Sequence, residues 1–134
     1  SILVSNHVSS VATVSFIRKH MVNLQKKLSL DKGVVMDGRD IGTVVFPNAE
    51  LKLFLTASAE VRAKRRYSEY VNENVEVEYD EVLNNLKSRD LDDSKRKDSP
   101  LIVADDALEI DNSFMSMEDQ LIFVKSILKD KFNL

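Results

Sequence analysis

The chain has 134 residues, 43% of them hydrophobic and 31% charged, with a formal charge of −3. That composition belongs to one folded domain rather than a disordered segment, and the slight acidity argues against nucleic acid as the main partner. No cysteine and only two histidines, His7 and His20, exclude a disulfide framework, a thiol nucleophile and an imidazole-based metal centre. No apolar run nears the roughly 20 residues that span a bilayer, so the expectation is a cytoplasmic protein without a membrane partner.

The first predicted element is an amphipathic helix. Val14, Ile17, Met21, Leu24 and Leu28 recur at alternating three- and four-residue steps, and Ser5 or Asn6 could cap its start. After Gly33, the run "VVMD" reads as a short strand buried on both faces. A polar turn follows, and then "TVVFP", in which Pro47 stops any extended run. "LKLFLTA", residues 51–57, is the strongest strand signal. Helices are predicted over 59–71 and 80–96, joined by a mobile "NENVEVEYD". "ALEID" is a last strand, and Ser116 with Asp119 three residues on resembles a capping box. The final helix should bury Met117, Leu121, Val124 and Leu128. Strands alternating with helices imply an α/β fold with a parallel sheet flanked by helices.

Three stretches carry chemistry. In "VVMDGRDIGTVVFP", Asp37, Arg39 and Asp40 follow the end of an apolar strand, where open α/β sheets bind ligands. Gly38 and Gly42 let the backbone turn tightly or approach a ligand, and an aspartate closing such a strand can hold a magnesium-bound water. A polar turn with an Asp–Arg surface pair would account for the same residues. Arg62, Arg65 and Arg66 share one helix face with Glu69 as the only obvious acid; guanidiniums at this spacing suit phosphate, or simply a solvated face. In the helix over 80–96, the apolar stripe of Val82 and Leu86 continues as Arg89, Asp93 and Arg96. Those charges either line a cleft or project beyond the core.

"VVMDGRDIGTVVFPNAELKLFLTASAEVRAKRRY" closely resembles the matching region of bacterial cytidylate (CMP) kinases, and the likeness extends through "LKSRDLDDSKRKDSPLIVADDALEID" and "VSNHVSSVATVSFIRKH". The resemblance implies transfer of the terminal phosphoryl of ATP, with Mg2+, to CMP or dCMP. By position, Ser9, Arg18 and Asp40 resemble the cytosine-recognition set, and Arg39 and Arg96 the clamp on the CMP phosphate. Arg89 and Asp93 resemble the sugar-contacting pair. Arg65, with Arg66, falls where the family's lid closes over the ATP phosphates, and Asp37 lies near the metal, acting through water. The chain departs from the family in having no G-x-x-x-x-G-K-[ST] motif; its three glycines are Gly33, Gly38 and Gly42.

The expectation is therefore a partial P-loop nucleoside monophosphate kinase fold missing the P-loop strand. Residues 1–58 and 100–134 would form the CMP-binding region and core, and 59–99 a lid-like helical region. Starting at Ser1 without a methionine, the chain reads as the C-terminal part of a longer enzyme, monomeric when whole and inert as 134 residues alone. A non-catalytic CMP-binding or regulatory module is the alternative.

Overall fold

The computed structural model describes residues 11, 12, 14–28, 33–95 and 97–133. In chain order these give α1 (Ser15–Lys27), a π-helical turn (Ile41–Val45), β1 (Leu53–Thr56), α2 (Ala59–Asn72), α3 (Tyr79–Lys95), β2 (Leu108–Asp111) and α4 (Met117–Phe132). The α/β architecture and the parallel sheet are as expected. β1 and β2 pair in parallel, with Leu53 opposite Leu108 and Thr56 opposite Asp111. The helical pair α2–α3 forms the crossover between them.

Local chemistry sets the limits of α2. Ser58 caps its start by accepting from the Val61 N–H at 3.2 Å. At its end Asn74 takes a left-handed conformation, φ 55°. The Asn74 N–H then reaches the Val71 carbonyl at 3.1 Å and the Val75 N–H the Tyr70 carbonyl at 2.9 Å. Those two bonds make a Schellman ending with asparagine in the usual glycine place. α2 and α3 pack through buried Ala63 and Val82, an edge-to-face contact of Tyr67 and Tyr79 with centroids 6.0 Å apart, and a two-pronged ion pair. In that pair Arg62 donates to both oxygens of Asp90, at 3.0 and 2.6 Å. The capping box of α4 is present: Ser116 Oγ accepts from the Asp119 N–H at 3.1 Å and the Asp119 carboxylate accepts from the Ser116 N–H at 3.3 Å.

Three expectations are corrected. "VVMD" is not a buried strand: residues 33–37 have no regular structure and Val35 is fully exposed, at 101%. A strand exists only when a neighbour takes its backbone N–H and C=O groups, and no described segment lies beside this one in the sheet. "TVV" is not extended but falls within the π-helical turn, which opens with the Val44 and Val45 N–H groups both on the Asp40 carbonyl. The helix α4 forms where expected, but its intended inner face is not covered: Met117 is 91% and Leu121 54% exposed. The apolar stripe of α1 is likewise half-open along Val14, Met21 and Leu24. Among the described residues the buried apolar side chains are Val45, Ala63, Val82 and Ile110. The predicted N-terminal cap at Ser5 or Asn6 lies outside the described residues. No helix among the described residues is long and apolar enough to cross a membrane.

Candidate functional site

The turn after residues 33–37 gathers the charges. Gly38 has no side chain because Ile41 folds back onto it; a Cβ there would stand 2.9 Å from Ile41 Cγ1. The glycine thus serves the turn's own packing. Asp40 then starts the π-helical turn, a local form common at functional sites, and its carbonyl also receives the Thr43 hydroxyl at 3.4 Å.

Two ion pairs converge here from three elements. Arg18 of α1 lies against Asp40, and both side chains are largely buried. Arg39, next in sequence, donates through Nε to Asp93 Oδ2 of α3 at 3.1 Å. Asp40 is 5% exposed and Asp93 4%, whereas the Arg39 side chain remains half open. Charges at that depth are retained only against a partner, because desolvation is costly. The pairing is incomplete in a telling place: Asp40 Oδ2 and Arg18 Nε are buried without hydrogen-bond partners among the described residues. Unsatisfied polar atoms at that depth are uncommon.

Of the residues picked out in the sequence, Arg18, Arg39, Asp40 and Asp93 are thus brought together. Arg89, half-buried, stands one helical turn before Asp93 on α3. Asp37 is exposed at the end of the irregular stretch. No three His, Asp or Glu side chains among the described residues gather to hold a metal ion by themselves. Asp37 is in no such group. Ser9 and Arg96 lie outside the described residues.

The three arginines of α2 do not act as one cluster. Arg62 is taken by Asp90 and the Ala57 carbonyl, and the Asp90 carboxylate beside it raises its pKa above the usual guanidinium value. Arg66 pairs with Glu69 at 2.8 Å and lies over the Tyr70 ring, 4.8 Å from its centroid. Arg65 reaches past the end of β2, donating to Asn112 Oδ1 at 2.9 Å and to the carbonyls of Asn112 and Met115 at 2.7 and 3.4 Å. Its acceptors there are all neutral. Of the three, Arg65 is the one whose charge is not set against a carboxylate in these bonds, and it sits at the carboxyl end of the sheet, where ligands of such folds bind.

Two residues went unread in the sequence. Asp90 is the acid that takes Arg62, from a helix 28 positions away. Lys52 is an almost buried cation in the β1 run, with its side chain 8% exposed. A lysine inside an apolar strand was the available signal for the second; no local spacing marks the first.

A family model described as cytidylate kinase matches residues 2–129. The chain is 53% identical over 130 residues to the cytidylate kinase of Flavobacterium psychrophilum, covering 97% of this chain and 58% of that protein. Against the cytidylate kinase of Fusobacterium nucleatum the identity is 53%, over 96% of this chain and 59% of the relative. Against that of Parabacteroides distasonis it is 57%, over 87% and 51%. The chain thus spans between half and three-fifths of the length of these curated relatives.

Proposed function

Because the chain belongs to the cytidylate kinase family, we propose that the protein moves the terminal phosphoryl group of ATP to CMP or dCMP, giving CDP or dCDP, and that these 134 residues supply the acceptor site and lid. The observation that supports this best is the convergence of Arg18–Asp40 and Arg39–Asp93 on one turn, with a buried carboxylate oxygen on Asp40 that has no partner among the described residues.

Asp40 is the base reader, together with Arg18 and Ser9. Its unpartnered Oδ2 accepts from the exocyclic amine of cytosine. Uracil offers a carbonyl there, and two acceptors would face each other in a dry site; that mismatch is the basis of selection. Arg39, with Arg96, holds the acceptor phosphate. In the resting protein Arg39 is taken by Asp93, so phosphate competes with a carboxylate for the same guanidinium. On exchange Asp93 turns with Arg89 to the sugar hydroxyls. The two pairs act as stand-ins that keep the site charged and shaped until the nucleotide arrives.

With ATP, Mg2+ would neutralise phosphate charge, and Asp37 would be the residue to hold it, through water. Arg65, with Arg66, meets the ATP phosphates as the helical region 59–99 closes. Transfer needs positioning and charge neutralisation more than covalent help from the protein, and closure keeps water from taking the phosphoryl group. A CMP-binding module without transfer activity is the second reading.

Calorimetric titration of the 134-residue chain with CMP and UMP, beside an ATP-coupled assay of the full-length protein, separates the readings. Transfer to CMP in preference to UMP and AMP is expected of the full-length protein. Selective CMP binding without any transfer in either form would favour the module. Equal use of UMP or AMP would remove the base-reading role from Asp40.

A further inference from the structure

Lys52 touches the π-helical turn, the segment just past it and the residues that lead into β2. Its ammonium donates to the Pro47 carbonyl at 2.6 Å and to Asp106 Oδ1 at 2.7 Å. Its stem lies over Gly42, where a Cβ would stand 3.4 Å from Lys52 Cδ. Its own carbonyl accepts from the Leu108 N–H at 3.0 Å, extending the β1–β2 ladder. One residue thus grips the π-helical turn at Gly42 and just past its end at Pro47, while its backbone belongs to the sheet. The Lys52 side chain is 8% exposed, covered along its stem, while Asp106 stays 63% exposed. The ion pair itself contributes little at the surface, and the tie to the turn is the bond to the Pro47 carbonyl.

Among the described residues the other charged ties on this turn are Arg18–Asp40 and Arg39–Asp93, and under the functional reading above both are given up, in part, to the acceptor nucleotide. Buried Val45 and the Lys52 bond are ties that the ligand leaves in place. We propose that Lys52 is a positioning residue for the acceptor site, clamping the Ile41–Val45 turn to the sheet so that Arg39 and Asp40 keep their places when CMP replaces their partners. This inference rests on that reading, and two readouts keep the two apart.

The test compares Lys52→Met, which keeps the stem and removes the ammonium, with Lys52→Arg, both in the full-length protein. One readout is amide exchange at Val44, Val45 and Phe46, whose N–H groups close the turn on Asp40 and Ile41. The other is the KM for CMP against the KM for ATP. Losing a charge-assisted bond should speed exchange at those three amides by about tenfold or more while the α2 amides keep their rates. The KM for CMP should rise by about the same factor, with the KM for ATP within about twofold, and Lys52→Arg should recover most of both. Unchanged turn exchange overturns the proposal, as does a rise in both KM values with all amides accelerating together. If the parent protein transfers nothing to CMP, the functional reading fails, and turn exchange alone still decides whether Lys52 is the clamp. Should Lys52→Met not fold, Asp106→Asn carries the same readouts: acceleration confined to the turn supports the clamp and uniform acceleration overturns it.

Discussion

Asp40 carries opposing demands at the scale of a single side chain. It lies against buried Arg18 with one oxygen, while the other is buried without a hydrogen-bond partner among the described residues; under the proposed function that second oxygen reads the base. Asp40→Asn should therefore act twice. Selection of CMP over UMP should fall by about tenfold or more, because an amide no longer discriminates between an amine and a carbonyl. Stability should fall by about 3 kcal/mol, since Arg18 is left buried against a neutral partner. Competition kinetics and urea unfolding read the two effects separately, and unchanged selectivity would remove Asp40 from the base site. Arg65 has the opposite profile: Arg65→Ala should slow turnover while leaving CMP affinity within about twofold, because its bonds go to the 112–115 segment rather than to the acceptor turn. A matching loss of CMP affinity would contradict the lid role. The run of Asp37, Arg39 and Asp40 was legible because charges crowd a turn after an apolar stretch. That Arg39 would meet Asp93, 54 positions on, was not, since no periodicity links a turn to the far end of a later helix.

At the scale of elements, strands and helices with a strong local pattern were readable, whereas the π-helical turn and the covering of particular faces were not. β1, β2, α2, α3 and the Ser116–Asp119 box follow from local pattern. "VVMD" and the inner face of α4 fail for one reason: both are statements about what lies against them. The box makes a clean test of local chemistry. Ser116→Ala should cost about 1 kcal/mol of α4 stability, as a lost N-cap does, seen as reduced helicity in thermal melts. The Ser116 hydroxyl and N–H beside Asp119 hold its carboxyl below the ordinary value of 3.8. A lowered folded-state pKa stabilises fully above the unfolded value and less as pH falls through the folded one. The first turn of α4 should thus hold from neutral pH down towards 4 and loosen below 3.8. Amide shifts at Asp119 followed by acid titration would reveal it, and loosening near neutrality would contradict the assignment. Arg62 is the corresponding test for the α2–α3 pair. Arg62→Lys loses the fork geometry on Asp90, and for a pair about one-third exposed the expected cost is at most about 1 kcal/mol.

For the molecule as a whole, apolar side chains stand open on several elements at once: Phe16 on α1, Val35 before the turn, Phe114 after β2, and Met117 with Ile122 on α4. Scattered exposed apolar residues are ordinary, but whole faces on successive elements are not. The 134-residue chain should accordingly bind an apolar dye such as ANS more strongly than the full-length protein does, with a broader thermal transition. Equal dye binding and an equally sharp transition would mean that these faces are covered the same way in both.

The sheet has one further consequence, in the order of events by which the chain reaches this shape. Leu53 pairs with Leu108, and Ser58 with Ser113, 55 positions apart, so both helices of the crossover must be threaded before the strands can meet. Closing so long a loop costs entropy that no contact repays until the pairing is made. The expected order is therefore the α2–α3 hairpin first, around Ala63 and Val82, with β1 zipping to β2 late. Mutations at the Tyr67–Tyr79 contact should slow folding, whereas Ile110→Val should mainly speed unfolding. The Ile41–Val45 turn is tied to β1 by the contacts of Lys52, so it should be among the last parts of the molecule to order.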